Sequence, residues 1–178
     1  MNKRPVSGDY IPYYSTYIDR VEEGEIEEVL SDQIKVTVEL LKNLSEEQGA
    51  FRYGEGKWSI KEVIGHMADT ERVMNFRLMS FARGESSELP GFDENEYVER
   101  AGFDRQTIPA LLENLVAVRT STISLLESLD EEAWERRGTA NGAPVTVRAL
   151  AWIIAGHELH HCMILKERYF EVEGFLKK

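Results

Sequence analysis

Apolar residues recur at three- and four-residue intervals in four stretches of this chain, and that repeat restricts it to helices packed on one another. The first stretch runs from about Glu25 to Leu44 and places Ile26, Leu30, Ile34, Val38 and Leu41 on one stripe. Ser59 opens the second, with Glu62 three residues on completing a capping box, and Arg83-Gly84 closes it after Ala82. Thr107 is placed to cap the third, with Pro109 tolerated in its first turn and Ile108, Leu112, Leu115, Val116, Ile123 and Leu126 forming its stripe. Thr146 is placed to cap the fourth, over about Val147 to Phe170. Residues 84–106 form a long connection with Pro90, Gly91 and Gly102, a length that in a compact domain usually covers or serves a site. An acidic turn around Asp130 to Arg136 and the segment Gly138 to Pro144 separate the third and fourth stretches, and almost nothing reads as a sheet. The expected fold is all-α: one four-helix bundle over residues 1–178, with a long connection between helices 2 and 3 and residues 1–23 as an arm packed on the bundle.

Charge narrows the partners. Asp and Glu number 32 against 21 Lys and Arg, for a net charge of −11, which argues against nucleic acid because phosphate binding relies on basic surfaces. The stretch Met1 to Asp9 lacks an apolar signal core, and the longest apolar run, Ala149 to Gly156, is too short to span a bilayer. Cys162 is the single cysteine, so no intrachain disulfide forms. The expectation is a cytoplasmic protein acting on a small molecule, away from membranes, with a homodimer as the expected assembly.

The chemistry concentrates in His157-Glu158-Leu159-His160-His161, inside the fourth stretch. The string matches the H-E-x-x-H pattern of zinc proteases, in which Glu158 would be the general base. Helical phase offers another reading. His157 and His161 lie about 40° apart on the stripe that holds Leu150, Ile153, Ile154 and Ile164, while Glu158 falls about 100° away and Cys162 farther round. His160 sits at the stripe's edge. The only other histidine, His66, shares a core-facing stripe with Val63, Thr70 and Val73 on the second helix. Two unpaired imidazoles buried one turn apart are costly, whereas three core-facing histidines on two helices can converge on a divalent ion. The protease reading lacks its downstream ligand: Glu167, Glu171 and Glu173 lie on or just past the same helix, badly placed to fold back.

Other polar residues fall where apolar ones are expected. Arg119 interrupts the third stripe, and Arg77 lies on the His66 face three turns along. Each is read either as a buried guanidinium paired with a carboxylate or as an anion reader lining a cavity. Asp69 is read either as a carboxylate orienting a ligand imidazole or as a surface partner of Arg72, and His160 as a residue behind the ligands. Four of the seven tyrosines lie between Tyr10 and Tyr17, in the arm, where they pack on the bundle or cover one of its mouths. Trp58 reads as a hydrophobic staple.

The segment Gly56-Lys57-Trp58-Ser59-Ile60-Lys61-Glu62-Val63-Ile64-Gly65-His66-Met67-Ala68-Asp69 resembles the second-helix signature of the DinB/YfiT-like superfamily, and Ala155-Gly156-His157-Glu158-Leu159-His160-His161 resembles its fourth-helix signature. The similarity runs from about Tyr17 to Tyr169. It implies a four-helix bundle with a divalent metal, zinc or nickel, on His66, His157 and His161, with His160 outside the ligand set. It also implies kinship with S-transferases and isomerases that use a low-molecular-weight thiol such as bacillithiol, mycothiol or glutathione.

Three functions stay open at this point. The leading one is a metal-dependent transferase that holds a low-molecular-weight thiol and aims it at an electrophile, with Arg77 and Arg119 reading anionic groups. The second is metal-assisted hydrolysis by an activated water. The third is a non-catalytic metal-binding or partner-binding bundle.

Overall fold

The computed structural model describes residues 3–172 and Phe175. After a 3₁₀ turn at Pro12–Tyr14 come α1 (Ser15–Ile18), α2 (Ile26–Leu41), α3 (Glu46–Gly49), α4 (Ile60–Ala82), α5 (Glu94–Ala101), α6 (Ile108–Glu127), α7 (Glu131–Glu135), a hairpin of β1 (Arg137–Ala140) and β2 (Ala143–Thr146), and α8 (Val147–Ile164). The expected caps are in place. Ser59 Oγ accepts the Glu62 N–H at 3.1 Å and Glu62 Oε2 accepts the Ser59 N–H at 2.8 Å, while Thr107 and Thr146 cap α6 and α8. No helix among the described residues is long and apolar enough to cross a membrane.

Helices α2, α4, α6 and α8 form the bundle. The pairing of residues sets their directions. His66 of α4 meets His157 of α8, and Phe81 near the end of α4 covers Gly138 just before α8 begins, so these two helices are antiparallel. Glu71 pairs with Arg119, and Lys61 and Ile108 both pack on Gly49, so α4 and α6 run parallel. Gln33 donates to the Ala155 carbonyl and Thr37 to Glu158, so α2 and α8 are also parallel.

Parallel neighbours require a crossover, which residues 83–107 provide. That connection is not the bare loop its Pro and Gly content suggested. Asp93 accepts the N–H groups of Asn95 and Glu96 at 2.9 and 3.1 Å and starts α5, and Gly102 ends it in the left-handed region at φ 65°. Phe103 then lies on Gly65 of α4, so close that a Cβ there would stand 2.3 Å from the ring. The little sheet among the described residues is one hairpin of two four-residue strands. Asn141 and Gly142 take φ values of 53° and 72°, a two-residue turn that turns β1 back onto β2. Leu89 of the crossover exchanges backbone hydrogen bonds with Thr139 and Asn141. The acidic turn before the hairpin holds α7, capped by Asp130. The fourth helix reaches Phe170 as expected, but from Leu165 onward as a π-helix.

The apolar core falls into two clusters. One gathers Leu30, Leu78, Phe81, Trp152 and Ile153 towards the hairpin end; the other gathers Leu41, Ile64, Met67, Leu111, Leu115 and Leu165 at the opposite end. Between them lies a polar layer to which every bundle helix contributes. Arg119, 1% exposed, donates from Nε and Nη2 to both oxygens of Glu71 at 2.9 and 2.8 Å, from Nη2 to Glu158 at 2.5 Å, and from Nη1 to the Leu30 carbonyl at 3.0 Å. Thr37 donates to the other oxygen of Glu158. Burial opposes the charge on Arg119, but Glu158 and Glu71 outweigh it and hold its pKa above the ordinary value.

The arm lies along α8. The Thr146 N–H donates to the Asp9 carbonyl at 2.9 Å, Arg4 donates to the carbonyls of Ile18 and Val21, and its guanidinium rests on Trp152 with 5.1 Å to the ring centroid. The closest approach is at Gly156, where a Cβ would stand 2.2 Å from the Tyr17 carbonyl oxygen. Gly156→Ala is therefore expected to displace the arm and lower stability by about 1–3 kcal/mol. Urea unfolding and limited proteolysis of the first twenty residues check this. Arg119→Met strands two carboxylates in the core and is expected to cost about 3–5 kcal/mol in the same unfolding measurement.

Candidate metal centre

Three imidazoles meet where α4 and α8 cross. His66, 3% exposed, His157, 8% exposed, and the partly buried His161 direct one nitrogen each towards a common point, all three within 4.8 Å of one another. The Nε2 atom of His157 lies 3.2 Å from that of His66 and 3.1 Å from that of His161. Tetrahedral coordination with Zn–N bonds of about 2.05 Å places ligand nitrogens about 3.3 Å apart, so the spacing fits one small dication. Without an ion the arrangement is poor, because a single proton on His157 Nε2 cannot serve two facing nitrogens.

Protonation cannot relieve it. Burial, and secondarily the charge of His160, brings the His66 pKa down to about 4. Burial also holds His157 and His161 well below the usual histidine value, each reinforced by the neighbouring imidazoles. The three rings are neutral near pH 7, the form in which imidazole binds a metal. With no carboxylate among the three donors, a bound dication would keep its full charge to act on a substrate atom.

The surroundings differ in part from those expected. Asp69 does not reach His66; it pairs with Arg72 at 3.0 Å at the half-exposed edge of α4, because its side chain points outward. The group beside the His66 Nδ1 atom is Thr70 Oγ1, at 3.4 Å, one turn along the same helix. His160 hydrogen-bonds to neither ligand ring on α8; it stacks edge-on against His161 and Tyr17, with Nδ1 buried. Arg119 does not line a cavity, since Glu71 and Glu158 hold its guanidinium in the core. Arg77, 4% exposed, donates to the Pro90 carbonyl at 2.8 Å and forms no ion pair among the described residues. Glu158 points away from the three nitrogens, consistent with its helical phase, and Cys162 turns to Thr37, where burial pushes its thiol up to about 11 despite the hydroxyl at 3.3 Å.

Two wall residues carried other readings. Trp58, read as a staple, stacks tilted on His66 at 4.6 Å between ring centroids, and the hydroxyl of Tyr169 donates to its carbonyl at 2.8 Å. Tyr17 packs against His157 at 5.6 Å, with its hydroxyl 3.3 Å from that of Tyr13, so the tyrosine arm does lie over the histidines. Trp58 next to a capping box and Tyr17 in a tyrosine run were visible signals; nothing local said which ring they would touch.

Residues 30–165 match the family model of the DinB superfamily. Two proteins of Oceanobacillus iheyensis, OB0413 and OB0782, both named as candidate metal-dependent hydrolases, are similar to the chain. The first is 26% identical over 130 residues, covering 72% of this chain and 74% of the relative. The second is 28% identical over 149 residues, covering 78% and 86%. Among solved structures, YfiT from Bacillus subtilis, described as a probable metal-dependent hydrolase with an unusual four-helix bundle topology, superposes with a TM-score of 0.68 at 19% identity, over 93% of this chain and 90% of that one. A mycothiol-dependent maleylpyruvate isomerase superposes with a TM-score of 0.65 at 16% identity, over 82% of this chain and 61% of the isomerase. At such identities the structural likeness is one of fold. The match of the family model across the bundle places this chain in the DinB superfamily.

Proposed function

We propose that the protein is a metal-dependent enzyme that holds one divalent ion, zinc or nickel, on His66, His157 and His161 and transfers a low-molecular-weight thiol to an electrophilic co-substrate. The observation that carries the reading is the pair of Nε2–Nε2 separations of 3.2 and 3.1 Å among three neutral imidazoles. When bound, the ion supplies a Lewis acid that lowers the pKa of a thiol or water brought to it. The chain's own residues hold and shield. Thr70 sits at the far nitrogen of His66, Trp58 packs over that ring, and Tyr17 closes over His157. The nucleophile comes from outside the chain, because its one thiol, Cys162, is protonated, buried and turned to Thr37. Arg77 is the reader of an anionic group on the substrate. It lies eleven residues from His66 on α4, about 16 Å along the axis, which suits an extended thiol rather than a very small one.

Hydrolysis is the second reading, favoured by the names of the two Oceanobacillus relatives. The two are separated by whether turnover needs a thiol. Purified protein is expected to carry about one equivalent of metal per chain by elemental analysis. With that metal it should conjugate bacillithiol or a similar thiol to a model electrophile such as 1-chloro-2,4-dinitrobenzene. His157→Ala should lose both metal and turnover. Turnover of ester or amide substrates without thiol would replace transfer by hydrolysis, and undiminished turnover in His157→Ala would remove the metal from the reaction.

The imidazoles also set a pH dependence. The folded pKa of His66, about 4, lies below its reference value of 6.5, so the unfolded chain binds the extra proton between them. Stability of the metal-free protein is therefore full above about pH 6.5 and is lost as pH falls through 4, by about 3 kcal/mol for this ring. Urea unfolding in EDTA across pH 4–8 checks the slope, which His66→Leu should reduce.

A further inference from the structure

A cavity of about 10 Å³ lies between the three histidines and the buried charge cluster. Its polar lining is Thr70, Glu71, His157 and Glu158, and the remaining walls are apolar. That volume is about the room one water needs, and four polar groups are more than enough partners for it. On one side stands the ring of His157, whose Nε2 faces the other two histidines. With Nε2 turned to the other two histidines, Nδ1 is the nitrogen of this ring left for a group on the cavity side. On the other side stand two carboxyl groups that share one guanidinium, so the cluster of Glu71, Glu158 and Arg119 carries a formal charge of −1 directly behind an uncharged ligand set.

We propose that Glu71 and Glu158 are positioning residues for the three-histidine centre: through one buried water in this cavity, their carboxylates accept the hydrogen bond of His157 Nδ1–H. Holding the proton on Nδ1 leaves the Nε2 lone pair free to point at the ion. The unbalanced negative charge favours a dication at the histidines, because it acts through a low-dielectric core without occupying a coordination position. Arg119 has a defined part in this device. It ties the two carboxylates to the bundle and cancels one of their two charges, so that neither swings in to become a fourth ligand. Glu158 thus sits beside a ligand histidine in sequence yet acts from behind it.

The inference rests on the metal reading above, and the experiment separates the two. Co²⁺ affinity of the metal-free protein is measured by chelator competition, together with the visible absorption of the Co²⁺ form and urea unfolding of the metal-free form. Glu71→Gln and Glu158→Gln are expected to weaken Co²⁺ binding by about 10–100-fold. Leu126→Ala, in the apolar cluster near the hairpin, lowers stability while leaving affinity within about twofold of wild type. Gln variants that bind as wild type, or a Leu126→Ala variant that loses affinity equally, would overturn the positioning role alone. Wild-type protein that binds no Co²⁺ would overturn the metal reading and this inference with it. A measurement on the wild type keeps the idea testable should the Gln variants not fold. The ¹⁵N shifts of His157 in the metal-free protein are expected to place its proton on Nδ1, and a proton on Nε2 would overturn the proposal.

Discussion

One guanidinium holds the middle of this bundle together. Arg119 reaches from α6 to a carboxylate on α4, another on α8 and a backbone carbonyl on α2, while Thr37 of α2 completes the contacts of Glu158. A charge so enclosed is tolerable only when all its partners are in place, since removing any one leaves an ion in a medium that solvates it poorly. Apolar packing above and below tolerates small shifts of one helix against another; this layer does not, because bidentate contacts fix rotation and height together. The position of α8 relative to α4, and so the meeting of three imidazoles, follows from that constraint.

The layer also explains how a neutral three-histidine cluster and an ionic cluster share one core. They stand side by side, with Thr70 and a small cavity between them. The histidines hold no formal charge and the ionic cluster holds one negative charge, so any cation at the histidines would meet a field already set by the fold. The one thiol of the chain, Cys162, belongs to the structural side of this division.

Much of the fold was legible because helical periodicity and capping chemistry are local. The stripes of α2, α4, α6 and α8 and the boxes or caps at Ser59, Thr107 and Thr146 each depend on residues within one or two turns. The convergence of His66 with His157 and His161 was legible for the same reason, since phase on two helices suffices. What escaped was of two kinds. Asn141-Gly142 and Asp93 with Gly102 are local signals for a hairpin and a short helix, but they lie in stretches whose Pro and Gly content suits a loop equally well. Arg119, Glu71 and Glu158 could not be paired from the sequence, because which of 32 acidic side chains meets a buried arginine depends on helix order and direction, and the parallel course of α4 and α6 follows from a crossover whose path no local rule dictates. Asp69 illustrates the same limit: it stands three residues from His66 yet pairs with Arg72, and Thr70, one turn along, faces the ring.

Beyond Ile164 the helix that carries His157 and His161 changes its winding, and Leu165–Phe170 continue with the wider hydrogen-bond spacing of a π-helix. The wider turn brings the Tyr169 hydroxyl onto the Trp58 carbonyl, at the very residue that stacks on His66. A single-residue deletion in this segment would leave His157 and His161 untouched and rotate Tyr169 by about 100° off its partner. The chain here is therefore more sensitive to its length than to its composition. Substitutions at the exposed Lys166, Glu167 and Arg168 can drift, while the buried Leu165 and Tyr169 and the residue count between the last histidine and Tyr169 have to be kept.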